Sequence, residues 1–328
     1  MPLPRPPEAT LRHAYDLVTR HGTLRAASRA TGQAESTLRR HYEMAVTSFA
    51  LPDARLSAAE YQDDAPPLDE ASMPLTSGVV VAFGDAHWSH PDQRRSLAHE
   101  ALLRALPVIK PDLILAMGDL MDFSAISRHD PVGWQMRTTV GEEIRAAQLH
   151  LEDMRNAAPS AATAWALGNH DERHDNYLAR HAPQFEASEG TRLADKFPDW
   201  PQAYRWDFGA FRAIHRWHSG IHAAHNNAVK SGVSLVTADT HKLRVTPHDD
   251  LTGRRYGVET GMLADPHWPI FRYLRGKPTS WRAGWVVLTI RDGRLLSPEV
   301  CEVMDSAAWF RGAEIVGKPR VRVAAGRG

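Results

Sequence analysis

Short clusters of carboxylates, imidazoles and one amide recur along the 328-residue chain, each just after an apolar run. Residues 79–83 run into Gly84-Asp85-Ala86-His87, residues 113–117 into Gly118-Asp119-Leu120-Met121-Asp122, and residues 162–167 into Gly168-Asn169-His170-Asp171. Farther along, 211–217 ends in His218-Ser219-Gly220 and 234–238 leads into Asp239-Thr240-His241. A buried strand that stops at a glycine delivers the next polar side chains to the rim of a sheet. A carboxylate and an imidazole spaced i and i+2 on such a rim, as in Asp85-x-His87, make a metal-site geometry. One such strand end is weak evidence, because Gly-Asp pairs close many strands. Their ordered repetition carries the argument.

The elements that must position these residues follow from periodicity. Apolar runs at 79–83, 113–117 and 162–167 read as strands, and amphipathic stretches at 93–106 and 141–157 read as the helices between them. Two more strands are expected at 211–217 and 234–238. A hairpin follows at 285–290 and 295–303, because Asp292-Gly293 between apolar runs is a strong turn signal. The alternation predicts an α/β domain with ligand-bearing loops at the carboxyl ends of its strands.

Upstream, residues 8–45 are helical in pattern and break at His21-Gly22 and Thr31-Gly32-Gln33. Thr23 can cap the second helix, and Ser28, four positions before Gly32, lets two helices cross closely. Residues 1–45 carry seven arginines against four acids, whereas 51–74 hold six acids, Arg55 and four prolines. The latter composition cannot bury much and reads as an extended linker. The expected organisation is therefore a small all-α domain at 1–50, a linker at 51–77, an α/β domain at 78–315 and a basic tail at 316–328.

Composition bounds the remaining possibilities. Formal net charge is zero, so any nucleic-acid contact must come from a local basic patch. The single cysteine, Cys301, excludes an internal disulfide and a cysteine zinc knuckle. No apolar run approaches the ~20 residues of a membrane span, and residues 1–10 lack a secretory h-region. The expected location is the cytoplasm of a bacterial or phage-infected cell.

Taken together, Asp85-x-His87, Gly118-Asp119-x-x-Asp122, Gly168-Asn169-His170-Asp171, His218 and Asp239-x-His241 resemble the DxH, GDxxD, GNH[DE], His and GHxH elements of calcineurin-like metallophosphoesterases. The resemblance extends over about 78–310 and is strongest to phage- and prophage-encoded members, through DFSAISRHDP at 122–131, GNHDERHDNYLARHAP at 168–183 and the segment at 273–295. It implies an αββα sandwich holding two divalent ions, manganese first, with magnesium, iron, zinc or nickel as alternatives. It also implies two-metal hydrolysis with a metal-bound water or hydroxide as nucleophile. By the resemblance, Asp85, His87 and His241 hold one ion, Asn169 and His218 the other, and Asp119 bridges them. His170 faces the phosphate, with Asp171 setting its tautomer. Among the histidines at 215–225, His218 is preferred because it ends the apolar run ahead of Gly220; His215 points to the same sheet face less naturally. Asp122 is either a ligand or the cap of a turn. Asp239 stands where the family pattern has histidine, so it either replaces imidazole with carboxylate or weakens the second site. Arg128, His129 and Arg173 fall near the metal rim and can meet a phosphate or form surface ion pairs. Trp281 and Trp285 are expected to pack.

The stretch at 22–45 resembles phage and bacterial helix-turn-helix segments, which implies that Ser36, Thr37, Arg39 and Arg40 lie on the groove-facing helix; a partner-docking bundle is the alternative. The leading reading is a metal-dependent phosphoric ester hydrolase, a phosphodiesterase or nuclease acting on or near DNA. Alternatives are a protein or small-molecule phosphatase with a docking domain, and a DNA-binding phage protein whose phosphoesterase domain is degenerate.

Overall fold

The computed structural model describes residues 6–49, 51, 70–128, 138–186 and 188–317. His129, most of the acidic segment and the basic tail from 318 lie outside these residues. The chain divides into two compact units, Met1–Pro66 and Pro67–Gly328.

The first unit contains three helices, α1 (Glu8–His21), α2 (Leu24–Thr31) and α3 (Glu35–Phe49). Leu11, Ala14, Leu17 and Val18 of α1 recur at helical spacing and are buried, as are Leu24, Ala27, Leu38, Tyr42 and Ala45 of the other two helices. Tyr15 stacks on Tyr42 with ring centroids 5.7 Å apart. Thr23 Oγ1 accepts from Ala26 N at 3.1 Å and starts α2, and the Gly32 amide donates back to Ser28 O to end it. The third helix runs to Phe49, four residues past the expected stop.

In the second unit two sheets stack face to face. One has the strand order β1-β6-β7-β8-β10-β9, made from β1 (Glu70–Ser72), β6 (Arg205–Asp207), β7 (Arg212–Ile214), β8 (Leu235–Thr237), β9 (Leu243–Asp250) and β10 (Gly253–Thr260). The other begins from β2 (Gly78–Phe83), β3 (Leu113–Ala116), β4 (Ala162–Ala166) and β5 (Gln202–Ala203), all mutually parallel. It continues antiparallel through β11 (Gly284–Arg291), β13 (Glu299–Met304), β14 (Ala307–Phe310) and β15 (Ala313–Gly317), with β12 (Arg294–Leu295) pairing β11. Side chains alternate as the pleat requires. Val80, Ala82, Leu113, Leu115, Ala164 and Ala166 fill the space between the sheets with Phe208, Phe211 and Val236. Val81, Phe83, Ile114, Ala116 and Trp165 face the opposite layer, where α4 (Leu97–Ile109) and α5 (Val140–Ala157) supply Leu102, Leu106, Leu151 and Met154.

The unit also contains two short α-helices, α6 (Arg173–His181) and α7 (Ala223–Ser231). The second lies so close to β10 that a Cβ at Gly257 would fall 1.7 Å from Ala224 O, so only glycine fits there. Among the described residues no helix is long and apolar enough to cross a membrane.

The boundaries differ from expectation at both ends. Residues 70–72, placed in the linker by their acidic and proline-rich surroundings, pair with β6, and Met73 and Leu75 pack on the inter-sheet core. At the other end β15 extends to Gly317. The β9–β10 hairpin was not expected, because its solvent-facing edge is largely polar and carries Pro247.

Candidate metal centre

The parallel register aligns the loops. Phe83 sits opposite Ala116, which sits opposite Trp165, so the chain leaves β2, β3 and β4 at one level of the sheet. Backbone bonds then tie the loops together: Asp85 N donates to Gly118 O, and His87 N to Asp119 O. From the other sheet, Ala238 N donates to His215 O, joining the exits of β7 and β8. Five residues of these loops adopt left-handed backbone angles that non-glycine residues seldom take: Asp85 (φ 50°), His87 (45°), Asp119 (51°), Asp239 (64°) and His241 (56°). Strain of this kind persists where packing over-determines it, and it gathers at functional sites.

Among the described residues, three groups of side chains could hold a metal ion. They are Asp85, His87 and His241; Asp85, Asp119 and His215; and His87, Asp122 and His170. In the first, His87 Nε2 and His241 Nε2 lie 3.3 Å apart, and His241 Nε2 is 3.4 Å from Asp85 Oδ1. Both Asp85 oxygens are buried without a donor. In the second, His215 Nδ1 donates to Met117 O at 2.5 Å, which fixes its tautomer and turns the Nε2 lone pair toward Asp119 Oδ2, 3.3 Å away. Two acceptors facing each other in a buried site need a cation between them. Asn169 Oδ1 is a further buried acceptor with no partner. The residues present therefore fit divalent cations. In a chain without an ion, a proton takes the place: burial would depress His215, but the Asp119 carboxylate overrides it and raises the imidazole pKa to about 10. Burial would likewise raise Asp119, yet His215 and His170 hold it well below the usual carboxylate range.

His215 thus takes the position that the sequence assigned to His218. β7 ends at Ile214, and Phe211, Ala213 and His215 alternate inward, each buried. Strict alternation from Phe211 would have selected His215; treating the strand as continuing to 217 obscured it. His218 is half-buried, stacks on Trp217 with centroids 4.9 Å apart, and belongs to none of the three groups.

Asp171 also departs from its expected role. Its Oδ2 accepts from Asp119 N (2.9 Å), Gly168 N (2.9 Å) and Trp165 Nε1 (3.1 Å), and its Oδ1 accepts from Leu120 N (3.0 Å). It clamps the second loop to the third and does not reach the His170 ring. The His170 partner is Asp122, whose Oδ1 lies 3.1 Å from His170 Nδ1. Burial would raise Asp122, but the imidazoles of His170 and His87 hold its pKa far down. Burial would depress His170, and Asp119 and Asp122 raise it instead. Glu143 of α5, which the sequence did not single out, accepts from Phe123 N, Ser124 N and Thr138 Oγ1 and fixes the segment just after Asp122. Burial and Asp122 push its pKa up to about 7.

The remaining expected residues lie around this cluster. Asp239 is at its edge, 3.6 Å from Arg216 Nε, with its pKa raised by burial. Arg173 donates to Asp122 O at 2.6 Å, and its Nη2 is 3.1 Å from His170 Nε2. Arg128 lines the groove that opens on Asn169 and His170. Trp285 is fully buried and Trp281 packs against the same core, as expected of both, and Trp281 also lies edge-on to His241 at 4.3 Å. Gly168 is dictated by crowding: a Cβ there would fall 2.2 Å from Asp119 Oδ1. Ser36, Thr37 and Arg39 are exposed on α3 and Arg40 is half-buried, with Arg39 paired to Glu35 at 3.0 Å.

The chain is 24% identical over 239 residues to the Gene 54 protein of Mycobacterium phage L5 and 25% identical over 245 residues to that of Mycobacterium phage D29. Each match covers 65% of this chain and 89% of the phage protein. Among solved structures, Vacuolar Protein Sorting 29 from Cryptosporidium parvum aligns with a TM-score of 0.40 and 14% identity, over 74% of this chain and 100% of that one. Residues 78–254 match the calcineurin-like phosphoesterase family. The protein belongs to that family and is a hydrolase of phosphoesters.

Proposed function

We propose that the protein is a two-metal phosphodiesterase or nuclease, with manganese as its working ion. The observation that carries this reading is the pairing of buried acceptors, Asp119 against His215 and Asp85 against His87 and His241, beside a His170–Asp122 pair. Asp85, His87 and His241 would hold one ion and Asn169 and His215 the other, with Asp119 shared and Asp239 within the same rim. Bound there, the ions supply Lewis acidity and a nucleophile at neutral pH. The chain's own residues do the rest. Asp122 accepts from His170 Nδ1–H and orients the ring, and in the imidazolium form Nε2–H gives its proton to the leaving oxygen. Arg173, 3.1 Å from Nε2, adds positive charge where the phosphoryl group carries negative charge. Diester preference is supported by the groove of about 730 Å³ that continues past His170, with room for a second ester arm.

The three-helix unit is proposed to bind DNA through the exposed Ser36, Thr37 and Arg39 and the half-buried Arg40 of α3. Binding there should weaken steeply with salt and weaken further in Arg39→Ala/Arg40→Ala.

The test is hydrolysis of bis-p-nitrophenyl phosphate and of p-nitrophenyl phosphate with manganese. The diester should turn over faster, chelation should stop it, and His170→Ala should lose turnover while keeping its metal. Turnover of neither ester with manganese demonstrably bound would overturn the proposal.

A further inference from the structure

The groove beside the metal centre has features that hydrolysis alone does not require. It is lined by Arg128, Arg173, Arg180 and Arg216 against a single carboxylate, Glu172, in a chain of zero net charge. Arg180 forms no ion pair among the described residues, and the Arg216 contact with Asp239 is 3.6 Å, longer than a hydrogen bond. On the same helix Tyr177 and His181 stack with centroids 4.2 Å apart and planes 26° from parallel. His181 Nδ1 donates to Tyr177 O at 3.0 Å, which fixes the second ring of the pair. Tyr177 nevertheless keeps 40% of its surface exposed. Arg173, Tyr177, Arg180 and His181 follow one another at helical spacing and so form one face of α6.

We infer that this face is a subsite for single-stranded nucleic acid, in which Tyr177 and His181 stack an unpaired base while Arg180, Arg216 and Arg128 hold the flanking phosphates. The inference rests on the phosphodiesterase reading and adds the substrate class. A flat, pre-organised aromatic pair beside several guanidinium groups is the combination that single-strand binders use: stacking tolerates any base, and the cations follow the backbone. A duplex hides its base faces in its own stack, so Tyr177 has nothing to receive from it. From Arg173 to His181 the helix rises about 12 Å, so the face is long enough for a short single-stranded segment. A phosphopeptide would use the arginines but leave the rings idle.

Two measurements on the full chain test the inference. The first is fluorescence anisotropy of a labelled oligothymidylate under chelation, which reads the subsite without turnover. Tyr177→Ala should weaken binding at least 5-fold and Tyr177→Phe by less than 2-fold. Arg180→Ala should reduce the slope of log K against log salt by about 0.7. Tyr177→Ala should leave binding of a duplex of the same length unaffected, because any duplex contact lies elsewhere. The second measurement is turnover with manganese. The ratio of kcat/KM for the oligothymidylate to that for bis-p-nitrophenyl phosphate should fall in Tyr177→Ala, through KM. Equal single-strand affinity in Tyr177→Ala, equal losses for single strand and duplex, or competition by a phosphoserine peptide at oligonucleotide strength would overturn the inference. If the unmodified chain hydrolyses neither ester, the phosphodiesterase reading fails, and the anisotropy series still decides whether the subsite exists.

Discussion

Replacing Asp171 by asparagine separates two accounts of this residue. If it set the His170 tautomer, the substitution would damage catalysis and leave the fold alone. The hydrogen bonds point elsewhere: three donors converge on Oδ2 and a fourth on Oδ1, from Asp119, Gly168, Trp165 and Leu120. Asparagine keeps the shape, and its oxygen can serve the three donors at Oδ2. Its amide group would then face Leu120 N–H, donor against donor. Leaving a buried donor unsatisfied costs about 1–3 kcal/mol, and burial together with Asp119 pushes the Asp171 pKa up to about 7, so loss of its charge adds little at neutral pH. The expected loss is therefore about 1–3 kcal/mol of stability, a substantial part of what a domain has. Because the severed bonds belong to the loop carrying Asp119, manganese affinity should fall as well. Urea denaturation gives the first quantity and an equilibrium metal titration the second. Stability within about 0.5 kcal/mol of the parent, with activity alone lost, would refute the reasoning.

Other consequences are as definite. Asp122→Asn should lower kcat by about 10²–10⁴-fold with manganese retained, since it takes the carboxylate charge from His170 Nδ1 without removing a ligand of either proposed ion; metal content and steady-state rates check it. Gly168→Ala should destabilise by about 1–3 kcal/mol and displace Asp119, because the new Cβ would overlap its carboxylate; unchanged activity would contradict the packing. His150 of α5 is buried against Trp88 and His99, and burial lowers its pKa to about 4. The folded chain therefore binds fewer protons than the unfolded chain between pH 6.5 and 4, and stability falls as pH drops through that window. Between pH 7.5 and 5 the contribution is about 2 kcal/mol, so urea midpoints of the parent should fall more than those of His150→Gln over the same interval.

Much of the site was legible because its signals are local. An apolar run, a glycine and a polar side chain lie within a few residues of one another, and Asp85, His87, Asp119 and His241 all fall within the buried groups that could hold a metal. What sequence could not resolve depends on distance in the chain. The role of Asp122 is set by His170, forty-eight positions away, and by Glu143 behind it. Asp171 follows His170 directly but turns its carboxylate to the loop at 119–120. His215 was missed through a strand end misjudged by three residues, enough to shift the choice between histidines in His215-Arg216-Trp217-His218. The β1 strand was hidden because a three-residue edge strand with exposed side chains carries almost no pattern, and its pairing is non-local.

The central claim is that two cations bind between the two sheets' loop exits, the second on His215. Anomalous scattering at the manganese edge, from crystals grown with manganese, tests it most directly. The account predicts two peaks, one bonded to Asp85, His87 and His241 and one to Asn169 and His215, with Asp119 touching both. A second ion held by His218, or no peak within reach of Asp119, would contradict it.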